Sequence, residues 1–124
     1  MDEEKLPRRC WLQKFRNAFR GMKQGVRGQS SFFVHFFVAA AVLATAAVLH
    51  VSRPEWCMLI LCITIVMAAE MFNSSLESMA RAITDQWSPH LRNALDIAST
   101  AVLVAAIGAS VVGAIILGSR VFDL

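Results

Sequence analysis

Apolar residues gather along the chain into three long runs separated by short polar breaks, and each run reads as a helix. The first run, residues 32–51, is close to the roughly 20 residues that a bilayer-spanning helix needs. Ser52-Arg53-Pro54 ends it as a tight turn, because proline has no N–H with which to continue a helix. A second helix is expected over 55–84, with Trp56 as an interfacial anchor and a polar extension beyond the apolar part. Asp85-Gln86-Trp87 reads as a loop, and Ser88 and Pro89 supply an N-cap and a first-turn proline for a third helix over 89–118. In that helix Ala101, Ala105, Ala109 and Gly113 recur every four residues, a stripe that predicts a close contact between helices, within or between copies. Residues 10–28 have a different rhythm. Trp11, Phe15, Ala18, Phe19, Met22 and Val26 fall at helical spacing, with Lys14, Arg16, Arg20, Lys23 and Arg27 over most of the other face. This pattern predicts an amphipathic surface helix lying against anionic lipid head groups. A soluble helix docking on a partner protein is the alternative.

Composition narrows the class. With 56% hydrophobic residues in 124, and a mean hydropathy of +0.54, the chain is too apolar for an ordinary small soluble domain. The expected fold is all-α: one integral membrane domain over 1–124, with three transmembrane helices and the N-terminal surface helix. One copy has little interior in which to assemble a site, so a homo-oligomer is expected. The first 30 residues are broken by charge and show no signal-peptide pattern. Cys10, Cys57 and Cys62 are odd in number and fit reduced, buried thiols better than a disulfide framework or a zinc site.

Charge gives the orientation. Eight of the twelve Lys and Arg residues precede Ser30, and Arg81 and Arg92 flank the loop that three spans would return to the same side. Arg53 and Arg120 fall on the other side. The excess of positive charge in short loops predicts a cytoplasmic N-terminus and an external C-terminus. No nucleic-acid module accompanies the basic run, so a nucleic-acid partner is not expected.

Within this apolar framework Glu70, Asn73 and Glu77 stand out. At i, i+3 and i+7 they share a helix face within roughly a 60° arc, with the two carboxylates about 10 Å apart along the axis. A carboxylate at the edge of a span is costly and by default marks function. Together with Asp96 at the same boundary, such oxygens suit a hard cation, and Mg²⁺ is commonly held by one or two carboxylates plus substrate phosphates. An unpaired carboxylate there also suits general-base work on a lipid hydroxyl. The structural alternative is that Glu77 pairs with Arg81 at i+4 and Glu70 merely caps the apolar zone. His35 and His50, near the ends of the first run, read as interfacial side chains. There is no Walker-type glycine-rich loop, which excludes a soluble nucleotide-binding fold of that kind.

Glu70-Met-Phe-Asn73-Ser74-Ser75-Leu76-Glu77 resembles the Glu-x-x-Asn-Thr-x-x-Glu pattern of the prokaryotic diacylglycerol kinase and undecaprenol kinase family. Arg92-Asn-Ala94-Leu95-Asp96-Ile-Ala98 resembles that family's Lys-x-Ala-Lys-Asp-x-Ala element. Phe15, Ala18, Gly21, the entry from Phe32 to His35, and Gly113 extend the similarity to about residues 13–117. The resemblance implies a homotrimer in the bacterial inner membrane whose composite sites move the γ-phosphoryl group of ATP, with Mg²⁺, to a lipid hydroxyl. It implies Glu70 as catalytic base, Asn73 as its polar partner in the active site and Glu77 as the ligand of the nucleotide's magnesium. Asp96, Arg92, Gln29 and Ser74 are the implied nucleotide-facing positions.

The chain departs from the family pattern at four places. Gln29 replaces an acidic metal ligand, Phe33 an arginine, Arg81 an aspartate one turn beyond the second Glu, and Leu95 a lysine. The loss of an acidic ligand and of a phosphate-binding lysine weakens Mg-ATP binding in expectation, and Arg81 is a candidate replacement cation. The expected function is a lipid kinase acting on diacylglycerol or undecaprenol. A non-catalytic family descendant and a small cation-permeable oligomer are the rivals.

Overall fold

In the computed structural model the described residues are 10–27 and 30–122, and they form four helices with no strand among them. These are α1 (Trp11–Arg27), α2 (Ser30–Val48), α3 (Arg53–Ile83) and α4 (Pro89–Val121). Gln29 and the tail before Cys10 lie outside the described residues. On α1, Trp11, Phe15, Phe19 and Met22 are exposed in one copy, and the Lys14 ammonium sits 5.0 Å from the centre of the Trp11 ring.

The first apolar helix stops at Val48, three residues short of the expected end, and the reason is local. His50 has a φ of 53°, in the left-handed region. Its N–H donates to Ala47 O at 3.3 Å, and the Val51 N–H donates to Ala46 O at 3.3 Å. This paired pattern is a Schellman motif, and it satisfies carbonyls that the helix end would otherwise orphan. Ala46 and Val51, the residues it brings together, are both buried in one cluster.

The next helix begins at once. Ser52 is its N-cap, and the Ser52 and Glu55 side chains form a reciprocal capping box in which the Ser52 N–H donates to Glu55 Oε1 at 3.0 Å. Helix α3 therefore starts at Arg53, two residues earlier than expected, because Pro54 fits the first turn rather than preceding the helix. Ser88 caps α4 as expected, accepting from the Leu91 N–H at 3.5 Å. The α4 helix runs on past Gly118 to Val121.

Helices α3 and α4 form an antiparallel hairpin through the short loop 84–88, and α2 lies mainly on α3. The bundle is fastened at the end away from that loop. Ala46, Val51, Leu59 and Ile116 are buried together there, with Trp56 and Leu117 packed beside them. At the same end the Arg120 guanidinium reaches the Glu55 carboxylate across the hairpin, its Nε donating to Oε1 at 3.1 Å.

Helices α3 and α4 are each long and apolar enough to cross a membrane, whereas the apolar part of α2, Phe32–Val48, is shorter. Much of the apolar surface faces outward, as at Phe36, Phe37, Ile107 and Ile115. In water such a surface would demand a cover.

Between α2, α3 and α4 lies a cavity of about 340 Å³. Ala109 and Gly113 border it, and a Cβ added at Gly113 would meet nothing within 4 Å. Within one chain the small-residue stripe thus opens space where a tight helix contact was expected, and Ala101 at its start is exposed.

A left-handed backbone costs an L-residue roughly 1–2 kcal/mol that glycine does not lose. His50→Gly is therefore expected to stabilise the protein by about 1 kcal/mol, read as a higher midpoint of thermal unfolding in detergent. A lower midpoint would show that the His50 side chain does more than close the helix.

Candidate active site

Helix α3 turns the Glu70–Glu77 face toward the bundle. Glu70 is 3% exposed and Asn73 8% exposed, while Ser74 and Glu77 are half-buried. Both carboxylates keep good helix-forming side chains in a continuous helix, so the polar group costs little in local structure and much in desolvation. Helix α2 answers this cost for Glu70: the His35 Nε2 lies 3.5 Å from Glu70 Oε2. His35 had read as an interfacial side chain. It is instead half-buried against a carboxylate and also borders the cavity. A signal for this was available. Phe32, His35, Ala39, Val42 and Ala46 alternate spacings of three and four residues, and the buried Phe32 and Ala46 mark that stripe as the inward face of α2.

The Asn73 amide is oriented by its neighbour. Its Nδ2 donates to Glu77 Oε1 at 3.3 Å, and a carboxylate only accepts, so the amide nitrogen must face it. The Asn73 carbonyl oxygen Oδ1 is left buried without a hydrogen-bond partner, and so is Ser74 Oγ. Four other helix hydroxyls are satisfied by the backbone. Thr45, Thr64, Thr100 and Ser110 each donate to the carbonyl four residues earlier, at 2.7–2.8 Å. Ser74 does not. Two orphaned oxygens one residue apart, beside a carboxylate, are where a ligand would restore lost hydrogen bonds or coordinate a cation.

The donor set fits Mg²⁺ held together with a phosphate ligand. Glu77 offers a carboxylate and Asn73 a carbonyl oxygen, both hard donors. No group of three His, Cys, Asp or Glu converges among the described residues, so further oxygens would have to come from the ligand or from elsewhere.

Asp96 and Arg92 do not join this group within one chain. They pair with each other at 3.5 Å, and both side chains are 65% exposed. The cause is angular. Ala98 is the buried residue at this level of α4, and Asp96, two residues away, lies about 200° round the helix from it. Counting residues from the loop puts Asp96 at about the height of Glu77, but on an outward face. Of the departures from the family pattern, Phe33 and Arg81 are exposed, Arg81 in the last turn of α3, and Leu95 is half-buried. The Glu55–Arg120 pair is the other feature that the sequence did not announce. The capping box containing Glu55 is readable as Ser-x-x-Glu, but a partner 65 residues away is not.

The prokaryotic diacylglycerol kinase family model matches residues 16–117, across α2, α3 and nearly all of α4. The chain belongs to this family. It is 36% identical over 107 residues to a diacylglycerol kinase of Synechocystis sp., a match covering 86% of this chain and 61% of the relative. It therefore spans less than two thirds of that relative's length. It is also 30% identical over 106 residues to an undecaprenol kinase of Bacillus subtilis, a match covering 86% of each chain. Membership of a membrane lipid kinase family and the two long apolar helices together mark a membrane protein.

The orphaned hydroxyl gives a direct test of whether the site is shaped for a ligand. Ser74→Ala removes a buried donor without a partner and introduces the best helix former, so it should stabilise the ligand-free protein by about 1 kcal/mol. In the presence of Mg-ATP this advantage should shrink or reverse, as followed by thermal unfolding. Equal stabilisation with and without nucleotide would remove Ser74 from the binding surface.

Proposed function

We propose that this family member is a lipid kinase that transfers the γ-phosphoryl group of ATP to the hydroxyl of a membrane lipid alcohol, diacylglycerol or undecaprenol. The observation that carries the reading is Glu70: a carboxylate 3% exposed, beside His35, which itself borders an apolar cavity. A lipid hydroxyl placed there meets a base from the bilayer side. Glu70 accepts the hydroxyl proton as the lipid oxygen bonds to the γ-phosphorus and the bond from phosphorus to the bridging oxygen of ADP breaks. His35 holds the carboxylate in place. Asn73 Oδ1 and Glu77 are the groups that would hold the nucleotide's magnesium, whose contribution is to neutralise charge on the transferring phosphoryl group. Chemistry of this kind needs positioning and charge compensation more than covalent help from the protein.

The 1–124 chain is one membrane domain, and α2 is the first of three spans despite its shorter apolar part. At 19 residues it is about 28 Å long, near the roughly 30 Å of a hydrocarbon core. Helix α1 lies in the interface over anionic lipid. The N-terminus is cytoplasmic and the C-terminus external, which puts Glu70–Glu77 at the cytoplasmic face of a bacterial inner membrane. The protein is a homotrimer with composite sites. The outward, exposed position of Asp96 and Arg92 supports this, since those groups are available to a neighbouring copy. Gln29 and Ser74 are kept as nucleotide-facing positions.

Leu95 favours one rival, a non-catalytic descendant, because a half-buried apolar side chain stands where the family pattern has a lysine. Two measurements separate the readings. Glu70→Gln should lower turnover of lipid phosphorylation in mixed micelles by about 10²–10⁴-fold without lowering the unfolding midpoint. Near-normal turnover in that variant would end the proposal. Mg-ATP at about 100 times its Kd should stabilise the protein by about 2.7 kcal/mol. Absence of any shift at millimolar nucleotide, together with no turnover, would establish the non-catalytic reading.

A further inference from the structure

A buried base has to be emptied after each turnover before it can act again. In the lipid kinase reading Glu70 takes one proton from the lipid hydroxyl at every transfer, yet its side chain is only 4% exposed. Its proton returns to water most readily through a neighbour that reaches farther out. Most of the candidates are excluded by their chemistry. Asn73 is a neutral amide whose nitrogen already donates to Glu77 Oε1, and an amide does not carry protons near neutral pH. Glu77 lies seven residues on, about 10 Å along the axis, and is one of the groups assigned to magnesium. On α4, Asp96 is held by Arg92 on an exposed face. Lys14, Arg16, Arg20 and Lys23 of α1 are exposed cations with no lone pair to accept a proton. The cavity gives no path either: besides His35 its polar wall residues are Cys62 and Ser110, and the Ser110 hydroxyl is spent on Ala106 O at 2.7 Å.

His35 has the geometry that these groups lack. Its Nε2 is 3.5 Å from Glu70 Oε2, and its side chain is 24% exposed against 4% for the carboxylate. A separation of this size in a ligand-free site commonly tightens when substrate binds. His35 stands five residues after Ser30, about 8 Å from the start of α2, so the pair sits near the end of the bundle that carries the polar face. Imidazole is also the side chain suited to taking up and releasing protons near neutral pH.

We infer that His35 is the proton relay of Glu70, carrying each proton taken from the lipid hydroxyl out to water. The inference rests on the lipid kinase reading and adds to it the fate of the proton. The step balances without a further reactant. Protonated Glu70 Oε2 gives its proton to the lone pair of Nε2 on neutral His35, which restores the carboxylate and forms an imidazolium. The imidazolium then loses one ring proton to water and is neutral again. No bond to phosphorus changes in this step. His35 acts through Glu70 and need touch neither lipid nor nucleotide.

A relay and a mere support differ kinetically. His35→Gln keeps a nitrogen donor at nearly the same reach, so Glu70 stays oriented, but the amide carries no proton. With the full chain in mixed micelles of diacylglycerol and radiolabelled Mg-ATP, its single-turnover transfer should stay within about threefold of the parent. Its steady-state turnover should fall about tenfold or more, after a burst of one phosphorylated lipid per site. Equal loss in both regimes would show that His35 only holds the carboxylate, and no loss in either that the proton leaves by another route. Either result overturns the relay.

A second arm uses His35→Ala, whose truncation enlarges the cavity that His35 borders. Free imidazole should raise its steady-state turnover about fivefold or more, whereas acetamide, a donor that carries no proton, should not. Equal rescue by acetamide, or none by imidazole, would also overturn the relay. A parent that phosphorylates neither diacylglycerol nor undecaprenol ends the kinase reading and the relay with it. An active parent with an unimpaired His35→Gln ends the relay alone.

Discussion

A carboxylate taken almost wholly out of water sets the terms for everything around it. An ionised group in an apolar interior loses several kcal/mol of hydration unless partners replace the water. The bundle meets this at Glu70 by bringing His35 from a different helix to 3.5 Å. Neither helix holds the pair alone: α3 supplies the acid, α2 the imidazole, and their packing supplies the distance. The same face then accumulates polarity that is not fully satisfied, at Asn73 Oδ1 and Ser74 Oγ. A fold selected for stability alone would remove those atoms. Their survival next to the acid is what separates a site from a buried ion pair.

The two ends of the bundle divide the labour. At one end a Schellman turn, a capping box, a four-residue apolar cluster and the Arg120–Glu55 bridge lock three helices together within a few residues of each other. At the other end the helices carry the polar face, and between the two they part around a cavity. Tight packing at one end leaves openness in the middle. This arrangement leaves a partly open space between α2, α3 and α4 that close packing would otherwise remove.

Much of this was readable in advance because it depends on neighbours in sequence. The Ser88-Pro89 start of α4 and the rhythm of α1 follow from backbone geometry and side-chain spacing, and both stand in the structure. The Glu70, Asn73, Glu77 face is a matter of 3.6 residues per turn, and the buried Glu70 and Asn73 share it. Errors appeared where a local choice had two outcomes. His50 takes a left-handed conformation that few residues adopt, so the first apolar helix ends at Val48 and not at Val51. Pro54 is compatible with a turn or a helix start, and Ser52 with Glu55 tips it to the latter. The small-residue stripe predicts a contact within or between copies, and inside one chain Ala109 and Gly113 border open space, so it makes no close contact there.

The amino-acid sequence alone determined the class, the helices and the identity of the acidic face, because hydrophobic periodicity, caps and a short polar motif act over a few residues. It also carried the family signature that the match over residues 16–117 bears out. Only the tertiary structure decided which groups meet. It set His35 against Glu70, bridged Glu55 to Arg120 across 65 residues, turned Asp96 outward, and left a cavity between α2, α3 and α4. These are relations between helices. They depend on how α2, α3 and α4 rotate and lean against one another, and no spacing along a single helix encodes that rotation.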